Sequence, residues 1–203
     1  MKQKIIAIMG PSGAGKDTVA NILSIALNIP LLCSFTTRPM RDGEVINGKE
    51  HFFVKECKTP KEDMLAYTEY GGYEYWTELA QIEDVAIYVI DEKGFLGICE
   101  HFPDIELMSI YVAAKPETLK ARGIAPERTN RDEYRVSLDI NSFDYVISNN
   151  SSLYRLLITT LDAVKCIRTA NGETRKYEAE AEERLKKGGV AAQNFIRLLS
   201  AFF

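Results

Sequence analysis

The chain has 203 residues, enough for one domain with some excess and for burying roughly 70% of its unfolded surface in a core. Hydrophobic residues make up 46% and charged residues 27%, and the net charge of −4 excludes a global positive field that would draw the chain to nucleic acid or an anionic membrane. Cys33, Cys57, Cys99 and Cys166 form no C-x-x-C pair and His51 and His101 lie far apart, which argues against a zinc site or disulfide framework and suits a reducing cytoplasm. Any polyanion site must then be built locally from a few Arg and Lys.

Residues 4–9 are a continuous apolar run after Lys4, which predicts a buried parallel strand and is too short for a signal segment or a membrane span. Gly10-Pro11-Ser12-Gly13-Ala14-Gly15-Lys16-Asp17-Thr18 follows and satisfies G-x-x-x-x-G-K between a strand and a helix, the context that motif needs. The glycines let successive backbone N–H groups curl round an anion. The helix N-terminus adds partial positive charge, and Lys16 reaches the β- and γ-phosphates. Gly10, Ser12, Gly13, Ala14, Gly15, Lys16, Asp17 and Thr18 are therefore the ATP-binding candidates. Asp17 stands where a Ser or Thr usually ligates magnesium. It is expected either to hold Mg2+, directly or through water, or to act as an acidic first-turn residue.

A helix is predicted over 17–28, with Val19, Ile22, Leu23 and Ala26 at helical spacing and Pro30 ending it. Residues 31–34 read as a second strand. Residues 38–50 are polar and turn-rich and carry Arg38 and Arg41, whose planar donor forks suit a phosphate. Strands are predicted at 52–54, 65–70 and 73–77, the last two joined by Gly71-Gly72 as a hairpin. This is a small β-rich insertion.

The core pattern resumes with a strand at 85–90 ending in Asp91, the edge at which open α/β sheets bind ligands. A helix at 94–101, a strand at 106–112, a helix from 116 to 122, a strand at 145–148 and a helix at 151–167 follow. Alternating strands and helices predict an α/β fold with a mainly parallel sheet. Between them, Arg122, Arg128, Arg131 and Arg135 are candidates for stabilising charge on a transferring phosphoryl group. Residues 171–203 are a C-terminal helical extension with an apolar end (Val190, Phe195, Ile196, Leu198, Leu199, Phe202, Phe203), expected to fold back on the core or to join two chains as a homodimer.

Ser34-Phe-Thr-Thr-Arg38-Pro-Met-Arg41-Asp-Gly-Glu44, then Asn47-Gly48 and His51-Phe-Phe-Val54, resembles the guanylate kinase pattern S-x-T-T-R-x-x-R-x-G-E followed by N-G-x-x-Y-x-F-V. With the phosphate loop, the resemblance covers about residues 4–167. It implies that Ser34, Arg38 and Arg41 hold an acceptor phosphate and that His51 replaces a phosphate-binding Tyr. Gly72-Tyr-Glu-Tyr75-Trp76-Thr77 is similar to the family's G-N-x-Y-G-[ST], which implies Tyr75 on the phosphate and Thr77 on the base. Trp76 replaces a glycine there and is expected to narrow the site. Ala66 falls where the family carries a base-reading Glu, and Glu69, at an odd offset on an alternating strand, points the other way. The family's I-L-D-I-D-x-Q-G places Asp91 as its second acid, a candidate for acceptor and metal binding, and Val89 where the first would be.

The resemblance implies a P-loop core domain (1–34 and 81–170), a nucleoside-monophosphate-binding insertion (35–80) and a short lid (122–135). It implies ATP and Mg2+ as cofactors, small nucleotides as substrates, no nucleic acid or membrane partner, and phosphoryl transfer from ATP to a GMP-like nucleoside monophosphate to give ADP and a diphosphate. A kinase for a sugar phosphate or deoxynucleotide and a non-catalytic binding module are the other readings. The intact Lys16 argues against the last.

Overall fold

Strand β1 (Lys4–Met9) lies at the centre of a parallel sheet because it is apolar from Ile5 to Met9. Residues 2–42, 44, 51–123, 136 and 138–170 are described by the structure, a computed structural model. Among them, β1 pairs with β6 (Val85–Val89) on one side and β7 (Glu106–Ala113) on the other, and β7 pairs with β8 (Tyr145–Ser148). All these pairings are parallel, so the carboxyl ends of four strands share one edge. Ile5, Ala7 and Met9 pack with Ala86, Tyr88 and Ile90 in a buried cluster that also takes in Leu65 of the second sheet.

Helix α1 (Lys16–Leu27) buries Val19, Ala20, Ile22 and Leu23, one stripe of a 3.6-residue period. It ends at Asn28, whose left-handed backbone (φ 55°) lets its N–H reach the Ser24 carbonyl. The segment predicted as strand 31–34 behaves otherwise. Leu31 makes an isolated bridge to Ile87, and Leu32 N–H donates to the Ile87 carbonyl, so the chain only brushes the edge of β6. Pairing restarts at β2 (Ser34–Thr36), which belongs to the second sheet.

That sheet runs β3 (His51–Phe53), β2, β5 (Tyr73–Glu78), β4 (Met64–Tyr70). β4 and β5 are the hairpin expected around Gly71-Gly72, both glycines at positive φ. Helices α2 (Glu92–His101) and α3 (Pro116–Ala121) follow β6 and β7. Helix α4 (Leu153–Ala170) starts at the end of β8 and crosses from the compact unit Met1–Leu161 into a second unit, Asp162–Phe203. In the described part of that second unit Lys165 and Asp162 form an ion pair at 3.5 Å. Among the described residues no helix is long and apolar enough to cross a membrane.

Candidate active site

The phosphate loop leaves the end of β1 at Gly10. A Cβ there would sit 2.4 Å from the Val112 carbonyl oxygen at φ +141°, so only glycine lets the loop start against β7. Ala14 N–H closes a turn on the Pro11 carbonyl, and Lys16 Nζ donates to the same carbonyl at 3.0 Å, which holds the ammonium over the loop. Two distant residues fix the loop from outside. Asn149, buried at the end of β8, donates Nδ2 to the Ala14 carbonyl at 2.7 Å. Arg122 spans Gly13 O (2.8 Å) and Asn149 O (2.9 Å) with its two terminal nitrogens. Two carbonyls of the loop, those of Gly13 and Ala14, are thereby held from outside, which suits a loop whose remaining N–H groups are to meet an anion.

The second sheet sorts its side chains by period two. Phe35 faces Trp76 across β2 and β5, and Thr36 faces Tyr75. Thr77 faces Ala66 across β5 and β4, and Ser34 faces His51 across β2 and β3. One face therefore carries Ser34, Thr36, His51, Tyr75, Thr77 and Ala66. The other carries Phe35, Phe52, Tyr67, Trp76, Glu69 and Glu74. The polar face gathers the acceptor candidates; His51 and Tyr75 meet edge-on, with ring centroids 5.7 Å apart. Below it, the Tyr88 hydroxyl of β6 lies 2.6 Å from Thr77 Oγ1, with Ser34 near it. Burial pushes the Tyr88 phenol up from its usual range, Thr77 and Ser34 only partly opposing this, so it stays neutral.

Arg38 follows a turn in which its own N–H donates to Thr36 Oγ1 at 3.1 Å. Its guanidinium is buried, 5.4 Å from the Phe53 ring centroid, with the Tyr75 phenol near it. Glu44 takes its fork at two points, 3.0 and 2.8 Å, and also accepts from Arg41 N–H at 2.7 Å. Arg41 itself is exposed. The Arg38 bond, then that of the Arg41 N–H, holds the Glu44 carboxyl down at about 2 against an ordinary 4.5. A depressed acid contributes stability above its unfolded value and loses it as pH falls towards the folded one. Glu44→Gln is thus expected to have a lower urea midpoint than the parent at pH 6, with the gap closing between pH 4.5 and about 2. A gap of constant size over that range would show that the Glu44 charge does not hold this corner.

A glycine-rich loop at a strand end and a buried arginine beside a small mixed sheet are now in view, and known proteins resemble the chain that carries them. The guanylate kinase family model matches residues 2–98. A guanylate kinase of Halalkalibacterium halodurans is 30% identical over 187 residues, covering 83% of this chain and 89% of that relative. The chain belongs to the guanylate kinase family. A guanylate kinase of Prochlorococcus marinus is 31% identical over 170 residues, covering 74% of this chain and 91% of the relative. The crystal structure of guanylate kinase from Anaplasma phagocytophilum matches with a TM-score of 0.57 at 25% identity, over 83% of this chain and 86% of that one. The chain is an enzyme of the nucleoside monophosphate kinase class.

Within the guanylate kinase frame, the structure corrects several expectations. Trp76 does not narrow the acceptor face. It is buried on the opposite face, stacked on Phe35 at 5.5 Å, with Nε1 donating to Thr59 Oγ1. Glu69 pairs with Glu74 on that same opposite face, as its offset from Ala66 implied, the register running unbroken from Ala66 to Tyr70 after a shift between Met64 and Ala66. Asp91 is the N-cap of α2, its Oδ1 accepting from Gly94 N–H at 2.7 Å, which gives one oxygen a structural task. Arg122, expected at the transferring phosphoryl group, is bound to main-chain carbonyls and acts on the loop. Arg128, Arg131 and Arg135, with most of the 122–135 lid, lie outside the described residues, as does the 171–203 extension.

Glu44, Tyr88 and Asn149 were given no role by the sequence reading. Glu44 stood in the quoted motif. Tyr88 and Asn149 carry only the weak signal of a polar residue in, or at the end of, an apolar strand. For magnesium the donor set is sparse: among the described residues no three His, Cys, Asp or Glu side chains converge. That fits an ion that keeps its waters and takes one or two carboxylates plus substrate phosphates. Asp17 is exposed in the first turn of α1, whose N-cap is Gly15 with no side-chain cap, so its carboxylate suits that single place.

Proposed function

We propose that the chain transfers the γ-phosphoryl group of ATP to a nucleoside monophosphate, with GMP the foremost acceptor, to give ADP and a nucleoside diphosphate. The observation that carries this is the sorting of the second sheet, which gathers Ser34, Tyr75 and Thr77 on one face with Arg38 at its end. The relatives named guanylate kinase supply the choice of GMP.

In this reading the loop amides and Lys16 hold the donor phosphates. Arg38, Arg41, Tyr75 and Ser34 hold the acceptor phosphate, with His51 beside Tyr75, and Thr77 meets the base with Asp91 near. Asp17 is the residue that would hold magnesium, which when bound screens charge between the phosphates. No side-chain nucleophile is required, because an acceptor phosphate oxygen attacks. Catalysis is then alignment plus charge stabilisation, and Arg128, Arg131 and Arg135 are proposed to supply the remaining positive charge.

Residues 35–80 act as the acceptor-binding insertion, and the free thiols Cys33, Cys57 and Cys99 suit the cytoplasmic compartment assigned to it. ADP release should be measured with ATP, Mg2+ and each of GMP, dGMP, AMP, dAMP, CMP, UMP and dTMP. GMP or dGMP is expected to give the highest kcat/KM. Failure of every nucleoside monophosphate to stimulate ADP release would overturn the assignment.

A further inference from the structure

We infer that Tyr88 is a positioning residue for the acceptor: its one hydroxyl, delivered from the core sheet, sets the direction of the acceptor-face hydroxyl of Thr77. The inference rests on the acceptor assignment above. Tyr88 lies on β6 between Ala86 and Ile90 and shares their buried cluster with Leu65 of β4, so its ring points from the core sheet into the second sheet. There its hydroxyl meets β5, lying 2.6 Å from Thr77 Oγ1. Thr77 is fully buried and Tyr88 is 6% exposed. The residue directly across from Thr77 on β4 is Ala66, which offers no hydrogen bond. The Thr77 hydroxyl therefore takes its orientation from Tyr88.

A hydroxyl is a rotor with one donor and two acceptor directions. Left alone in the site it would have to be ordered when the acceptor arrives, and that ordering weakens binding. Fixed by a buried phenol that stays neutral, it presents one polarity in advance. Thr77 belongs to the base end of the acceptor in this assignment, so a residue of the core sheet presets that end. Tyr88 touches neither donor phosphate nor the loop in this assignment, and its effect is confined to the acceptor half.

The test is steady-state kinetics of Tyr88→Phe, Thr77→Val and the double variant, with the acceptor found in the nucleotide panel. Phenylalanine keeps the ring in the cluster, and circular dichroism with a melting curve checks the fold. Tyr88→Phe is expected to raise the acceptor KM about tenfold while kcat and the ATP KM stay within about threefold. Because Tyr88 acts through Thr77, the effects of the pair on acceptor kcat/KM should be non-additive, the double variant falling well short of the product of the singles. An acceptor KM within twofold of the parent, equal rises in both KM values, or additive effects would each overturn the inference. Should Tyr88→Phe melt before the assay temperature, Tyr88→Leu, an apolar side chain that also lacks the hydroxyl, takes its place against the same criteria. A parent enzyme inactive on every monophosphate would instead overturn the assignment beneath it.

Discussion

Lys16→Ala is expected to lower turnover by about a thousandfold or more, with the loop still folded. Removing a single preorganised group that meets developing charge costs on the order of a hundred- to a thousandfold in rate, and Lys16 carries a full charge at the point where the phosphoryl group departs. Loop shape does not depend on it. The turn is closed by Ala14 on Pro11, and Asn149 and Arg122 hold Ala14 and Gly13 from outside. The variant should therefore keep the parent's melting temperature to within a few degrees. Turnover within threefold of the parent, measured as ADP release under saturating substrates, would remove Lys16 from the chemistry.

Arg38→Ala is expected to raise the acceptor KM by about a hundredfold and leave the ATP KM within threefold. Hydrogen bonds to a charged group are worth about 1.5–3 kcal/mol each, and a planar fork can offer two to one phosphate. Lysine should not rescue it, because one ammonium cannot span two oxygens. The substitution also leaves Glu44, otherwise paired at 2.8 Å, beside the site without its cation. The double variant Arg38→Ala, Glu44→Ala separates the two effects: it removes the stranded charge and should recover stability but not acceptor affinity. An ATP KM that rises alone would move Arg38 to the donor half and undo the acceptor model.

The parts of this molecule that were legible in sequence are those whose cause is local. A six-residue apolar run, a glycine-rich turn and an amphipathic helix declare β1, the loop and α1 without any partner being known. The hairpin declares itself through two glycines between alternating segments. β2 was misplaced because three residues give no period to read, and because its neighbour 31–34 is equally apolar. Trp76 was assigned to the site from its place in a motif, although strand alternation alone sends it to the face opposite Tyr75 and Thr77. Glu44 meets Arg38 six residues away through the shape of its loop, while Tyr88 and Asn149 act through partners that pairing brings close: Asn149 reaches Ala14 across 135 residues of chain. No window of sequence contains both ends of such a bond.

The alternation in β5 also puts the strand under a parity rule. In the proposed assignment Tyr75 and Thr77 serve the acceptor, and Trp76 between them is buried on the other face. Loss or gain of one residue inside Tyr73–Glu78 would exchange the two sets, sending an indole into the acceptor face and a phenol with a hydroxyl into the apolar layer. A change of two residues preserves the sides. The turn at Gly71-Gly72 carries no such rule, since a Cβ at either glycine would meet nothing within 4 Å. Length variation in this half of the molecule is thus channelled to the hairpin tip, and within the strand only even steps leave the acceptor face intact.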